Sequence, residues 1–296
     1  MKKKLKRFTA LTFFTALVLV LSSWGKLLQF REDDKTIIHR LKQEKADFEL
    51  GYYTAIGRSI RYLIIDNHAK DNLIIIHGAP GSMSRYNKYF EDTLLRRNYN
   101  FYVIDRPGYG YSGFGDAETS IDSNVAAVRP VFNLIRNRSG KNIVVGKSYG
   151  GPIASRLAML YPQLVDGLVL VAPAIQPGEE RTYSISYLMV NDHYKYLFPS
   201  MYVTASKEKL CHKQELEKMK NDWDKIHCPV IMVQGLKDDL VYPSNIDFLK
   251  HNMNDSLLEV IPLKDETHFF SAKAYPVIVH SFLEMKEKCD ANSNCR

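Results

Sequence analysis

Seven short apolar runs, separated by stretches of helical length, leave this chain few architectures to choose from. They are RYLIID (61–66), NLIIIHG (72–78), NFYVID (100–105), NIVVGKS (142–148), GLVLVAP (167–173), PVIMVQG (229–235) and LLEVIPL (257–263). Runs of four to six β-branched and aromatic residues bounded by turn formers suit strands buried on both faces. Between them lie candidate helices at about 84–98, 120–138, 149–161, 243–252 and 272–287, with Pro130 expected to kink the second or start a new helix. Strands alternating with helices imply an α/β fold whose mostly parallel sheet is wrapped on both sides.

One stretch breaks the rhythm. Some fifty residues between Pro173 and Cys228 hold an aromatic-rich run, TYSISYLMVNDHYKYLFPSMY, and then a charged helix, but no sheet strand. Long insertions in compact domains are usually functional, so a lid is expected at about 174–227. Tyr183, Tyr187, Leu188, Tyr194, Tyr196 and Leu197 offer it an apolar roof.

The net charge of +7 looks basic, but Lys2, Lys3, Lys4, Lys6 and Arg7 supply most of it before the first acid at Glu32. The remainder is near balance and has no clustered basic face, so a nucleic-acid partner is not expected. From Phe8 to Gly25 the chain carries no charge. A basic start followed by such a run reads as a signal-anchor with a transmembrane helix, or as a cleaved secretory signal. Residues 1–30 are therefore expected to be an anchor or signal segment ahead of a domain at 31–296. That domain is expected outside the cytoplasm, held at the membrane or secreted. Cys211, Cys228, Cys289 and Cys295 fit either two disulfides or four free thiols.

The strongest chemical signal is Gly146-Lys147-Ser148-Tyr149-Gly150-Gly151, between the strand NIVVG and the helix PIASRLAMLY. GxSxG between strand and helix is a nucleophile elbow. Side chains at the glycine positions would collide with the neighbouring strand and helix, and the strained turn lifts Ser148 Oγ to a helix N-terminus. A phosphate-binding loop needs another glycine five positions before Gly146, where Lys141 stands, so a nucleotide site is excluded. Lys147 beside the nucleophile either biases the site toward anionic substrates or points into solvent.

His77-Gly78-Ala79-Pro80-Gly81 follows the strand NLIII, and Asp105-Arg106-Pro107-Gly108-Tyr109-Gly110-Tyr111-Ser112-Gly113 follows the next. With the elbow, these motifs make the chain resemble the α/β-hydrolase superfamily, in its serine-nucleophile branch of esterases and prolyl-aminopeptidase-like enzymes with an HGxPG oxyanion loop. The resemblance covers roughly residues 50–287. It implies an eight-stranded-type, mostly parallel sheet flanked by helices, with a helical lid insertion. It also implies that the Ala79 and Tyr149 amides form the oxyanion hole, and that His77 and the Asp105 segment brace loops rather than react.

A serine hydroxyl needs a base, and the base an orienting acid. In this superfamily the order is serine, acid, histidine. The acid position after the strand ending Gly235 falls on Asp238, with Asp239 as the fallback. The base position between the last strand and last helix falls on His268, although Thr267 replaces the usual glycine before it. His280 is read as a packing residue of the last helix. No metal or organic cofactor is implied. The expected partner is a moderately hydrophobic small-molecule ester or amide, cleaved through an acyl-enzyme. Alternatives are a prolyl aminopeptidase, with Glu179, Glu180 or Asp192 holding the substrate ammonium, and a membrane-tethered binding protein that has lost catalysis.

Overall fold

The computed structural model describes residues 30–291. In chain order it holds α1 (Asp34–Gln43), β1 (Asp47–Ala55), β2 (Arg58–Asp66), β3 (Asp71–Ile76), α2 (Asn87–Phe90), α3 (Thr93–Asn98), β4 (Tyr99–Ile104) and α4 (Ile121–Val128). Then follow β5 (Asn142–Lys147), α5 (Gly150–Leu160), β6 (Gly167–Val171), α6 (Ser184–Met189), α7 (Ser200–Met219), β7 (Val230–Gly235), α8 (Asn245–Asn252), β8 (Leu258–Leu263) and α9 (Tyr275–Ala291). The eight strands form one sheet in the order β1-β2-β4-β3-β5-β6-β7-β8. The β1–β2 and β2–β4 pairs are antiparallel and all others parallel. This is the α/β-hydrolase fold.

Strand alternation sends side chains to two cores. Ile74, Ile76, Val144 and Leu170 pack against α4, α5 and the end of α7, through Val125, Ile153, Leu157 and Leu216. Leu73, Ile75, Val145 and Val171 pack on the other face against α1, α3 and α9, through Leu41, Leu95, Ile278 and Phe282. Each fully buried aliphatic side chain contributes about 1.5–3 kcal/mol. The central strands β3, β4, β6 and β7 are therefore buried from end to end, and β5 is buried except at its two terminal residues.

Several expectations need correction. The candidate helix at 84–98 is a 3-10 turn at Met83–Tyr86 followed by two short helices. The one at 120–138 ends at Val128, and a 3-10 turn from Arg129 takes over, with Pro130 in its first turn where no amide hydrogen is needed. No helix among the described residues is long and apolar enough to cross a membrane. The expected transmembrane helix and signal-anchor thus find no support among the described residues, and the apolar run at 8–25 that suggested them lies outside those residues. Cys211 is a free thiol, and Cys295 lies outside the described residues. The insertion between β6 and β7 folds into α6 and α7, joined by a 3-10 turn at Lys195–Leu197 and followed by another at Trp223–Lys225.

Candidate active site

The parallel strands bring the ends of β3, β5, β7 and β8 to one edge of the sheet, and the nominated side chains sit there. Ser148 follows β5 with φ +52°, in the left-handed region that costs a non-glycine residue about 1–3 kcal/mol. The glycines around it explain how the strain is held. A Cβ on Gly146 would lie 2.6 Å from the Gly150 carbonyl oxygen, and one on Gly150 would lie 2.2 Å from that of Ile76. The Ser148 amide donates to Val171 (3.0 Å), and its carbonyl accepts from Gly151 (2.9 Å) and Ala174 (3.2 Å). The elbow is thus fastened to β6 and to the segment that follows it.

His268 sits on the loop after β8, with its Nε2 3.0 Å from Ser148 Oγ. Its Nδ1 lies 2.8 Å from Asp238 Oδ2. That carboxylate, on the turn after β7, also accepts from Gln234 Nε2 (3.2 Å) and, through Oδ1, from the Leu240 and Val241 amides (2.9 and 2.8 Å). With Asp238 filling the Nδ1 side, the imidazole presents Nε2 to the serine. Asp238 and His268 are both buried. The fallback acid, Asp239, instead pairs with Arg181 at the surface (3.0 Å).

The HGAPG loop comes against the elbow from β3. A Cβ on Gly78 would lie 3.0 Å from both the Lys147 carbonyl oxygen and Ser148 Cβ, so Ala79 follows a residue in direct contact with the nucleophile. Tyr149 begins the turn into α5, whose first amides have no acceptor within the helix. The two nominated oxyanion donors therefore flank Ser148. His77 is fully buried and reacts with nothing in this geometry. Its Nε2 accepts from the Arg106 amide (2.9 Å), and its Nδ1 lies 2.7 Å from the Gly78 carbonyl oxygen. Burial, and then the Arg106 charge, push its pKa well below the usual histidine value. Asp105 ties the following loop together, accepting from the Met83 and Tyr111 amides (2.8 and 3.0 Å).

Lys147 is half-buried, not extended into solvent. Burial and the nearby Arg85 lower its pKa. The aromatic roof mostly faces outward, with Tyr196 and Leu197 81% and 69% exposed and only Met201 of that segment fully covered. His193 and His280 are exposed, so His280 is not the packing residue expected. A cavity of about 150 Å³ between Arg129, Phe132, Arg138 and Leu164 also touches Asn142 at the opposite end of β5 from Ser148, and takes no part in the site.

A residue missed in the sequence is Glu208, fully buried on α7 and bound to Arg106 Nη1 (2.7 Å). Nothing local marks it, because its partner lies 102 positions away. His212, one turn further along α7, bonds the Ala174 carbonyl (2.9 Å), and its ring lies tilted against that of Tyr149, the centres 4.6 Å apart.

The chain matches the family described as serine aminopeptidase, S33, over residues 67–222, more than half its length. The chain belongs to this family. The matched segment holds the HGAPG loop and the elbow and stops short of Asp238 and His268. A proline iminopeptidase of Elizabethkingia meningoseptica is 31% identical over 103 residues, 34% of this chain and 35% of that protein. A pimeloyl-[acyl-carrier protein] methyl ester esterase of Wigglesworthia glossinidia brevipalpis is 25% identical over 163 residues, 51% of this chain and 58% of that protein. The chain thus spans about a third of the length of the first of these relatives. An esterase structure from Exiguobacterium antarcticum superposes with a TM-score of 0.60 at 16% identity, covering 80% of this chain and 99% of that one. The family match and the sheet topology place the chain in the α/β-hydrolase superfamily.

Proposed function

We propose that the protein hydrolyses carboxylic esters of moderately hydrophobic small molecules through an acyl-enzyme on Ser148. The observation that carries this reading is the continuous chain of hydrogen bonds from Ser148 Oγ through His268 to Asp238. His268 Nε2 takes the Oγ proton as Oγ attacks the ester carbonyl carbon, and Asp238 stabilises the imidazolium. The Ala79 and Tyr149 amides hold the oxyanion, each contributing about 3–4 kcal/mol in the transition state. Collapse expels the alkoxide, which leaves as the alcohol with the proton from His268. Water then attacks the acyl carbon and gives a proton to His268. The second collapse releases the acid, and Oγ regains its proton.

Peptide cleavage is the second reading, favoured by the family match and the proline iminopeptidase relative. It needs a carboxylate free to bind the substrate ammonium, and the three nominated acids are engaged. Glu179 accepts from Ser244 (2.9 Å), Glu180 pairs with Lys209 (2.5 Å), and Asp192 pairs with Lys195 (2.6 Å) at an exposed position. Esters need no such anchor.

Parallel assay of p-nitrophenyl butyrate and proline β-naphthylamide separates the two readings, with the butyrate expected to turn over faster. Ser148→Ala is expected to abolish turnover and fluorophosphonate labelling while leaving the circular dichroism unchanged. Retained activity in that variant sinks the assignment, and an unlabelled wild type favours the non-catalytic binding protein.

A further inference from the structure

We propose that Arg106 is a positioning residue for the Ala79 oxyanion donor, and that Glu208 on the insertion helix α7 holds it in place. The inference rests on the reading of Ser148 as nucleophile and Ala79 as donor. The Ala79 N–H belongs to the same planar peptide unit as the Gly78 carbonyl, and in a trans peptide the two point in opposite directions. Fixing the carbonyl therefore aims the N–H. The Gly78 carbonyl accepts from Arg106 Nη2 (3.3 Å) and from His77 Nδ1–H (2.7 Å). Donation into a carbonyl also polarises its peptide, so the opposite N–H becomes a stronger donor.

The guanidinium is held from every side. Its Nε donates to the His77 carbonyl (2.9 Å), its Nη1 to Glu208 Oε1 (2.7 Å) and Asn124 Oδ1 (3.1 Å), and its Nη2 also reaches Glu208 Oε2 (3.3 Å). The Tyr109 hydroxyl donates to the same Oε2 (2.6 Å). The guanidinium carbon lies 4.8 Å from the Tyr109 ring centre and 4.9 Å from that of Tyr149, the residue that carries the other nominated donor. One side chain thus touches the supports of both donors.

A buried ion pair alone is weak grounds for a stabilising role, because apolar residues of similar volume often replace one at no loss. What apolar residues cannot do is donate to the two carbonyls of the HGAPG loop. Lysine cannot either while serving Glu208, since an ammonium lacks the planar fork. The pair also ties that loop to α7, so the insertion does more than cover the site.

The test is Arg106→Lys, which keeps the charge and loses the fork. Its kcat is expected to fall about tenfold to a hundredfold, near the loss caused by removing an oxyanion donor. KM should stay within about twofold, and affinity for a trifluoromethyl ketone, whose hemiketal alkoxide occupies the oxyanion hole, should fall by the same factor as kcat. Gly–Ala occurs once in the sequence, so glycine labelled at its carbonyl carbon together with nitrogen-labelled alanine gives a single amide resonance for Gly78–Ala79. That resonance should shift in Arg106→Lys before any ligand is added. Arg106→Gln/Glu208→Gln, which buries no charge, is read the same way. A folded variant with wild-type kcat, or one that loses activity with unchanged inhibitor affinity and an unmoved resonance, overturns the proposal. Failure of both variants to fold also overturns it, since the pair would then be structural. Retained activity in Ser148→Ala would instead strike at the functional reading itself.

Discussion

His77 can hold its two hydrogen bonds in one protonation state only. Its Nε2 accepts from the Arg106 amide, so the ring proton must sit on Nδ1, where it is given to the Gly78 carbonyl. A second proton would break the first bond and place a cation beside Arg106, in full burial. The unfolded chain meets no such obstacle and takes up that proton below about pH 6.5. Below that pH the unfolded state binds more protons than the native one, so this contribution is whole above pH 6.5 and shrinks as the pH falls from there toward the depressed native pKa. Urea denaturation between pH 7.5 and 5.5 should give the wild type a slope steeper than His77→Gln by up to about 1.4 kcal/mol per pH unit. Equal slopes would mean that His77 titrates freely inside the fold. At this scale the legible residues are those that follow a strand within a short motif, as Ser148, Asp238 and His268 do. Glu208 follows no strand and sits in no motif, and only the folded chain brings it to Arg106.

Among the elements, the apolar runs foretell β2 to β7 because those strands are largely buried, and the run LLEVIPL marks β8 although that edge strand is only half-buried. The strand they do not mark is β1, and its burial explains why. DFELGYYTA alternates between half-buried and exposed positions at the edge of the sheet, so no continuous apolar run announces it. Its turn into β2 is equally quiet, because Ile56 and Gly57 take φ of +48° and +71°, and isoleucine is a poor marker of a left-handed turn. Gly51 inside the strand further weakens the signal, yet it is required: Tyr62 of the paired strand lies across it, its hydroxyl 2.6 Å from where a Cβ would stand. The elbow gives the sharper element-scale prediction. Gly150→Ala would press a methyl against the Ile76 carbonyl oxygen, a backbone atom that cannot step aside without moving the HGAPG loop. A loss of about 3 kcal/mol and at least a tenfold drop in kcat are expected. Gly57→Ala meets open space and pays only for its backbone angle, about 1–2 kcal/mol, with kcat unchanged. Denaturant titration and ester turnover on both proteins check the contrast. Equal kcat in the two would show that the elbow's close fit is not needed for chemistry.

For the whole molecule, the proposed site has no local existence. Ser148 and His268 lie 120 positions apart, and their contact depends on β5, β6, β7 and β8 keeping register across the sheet. The last helix, α9, secures that half of the sheet from one face. Phe282 at its centre is fully buried among β-strand side chains, and its carbonyl accepts from the Tyr99 hydroxyl (2.5 Å) at the start of β4. Removing the ring in Phe282→Ala should cost about 3–5 kcal/mol while leaving every group near Ser148 in place. If the sheet is a single cooperative plate, ester hydrolysis and far-ultraviolet circular dichroism should vanish at one urea concentration in the wild type, and at one lower concentration in Phe282→Ala. The kcat of the folded variant should equal that of the wild type. Activity lost well before the dichroism would show instead that the β7–β8 edge opens on its own, carrying Asp238 and His268 away from a serine still seated on an intact elbow.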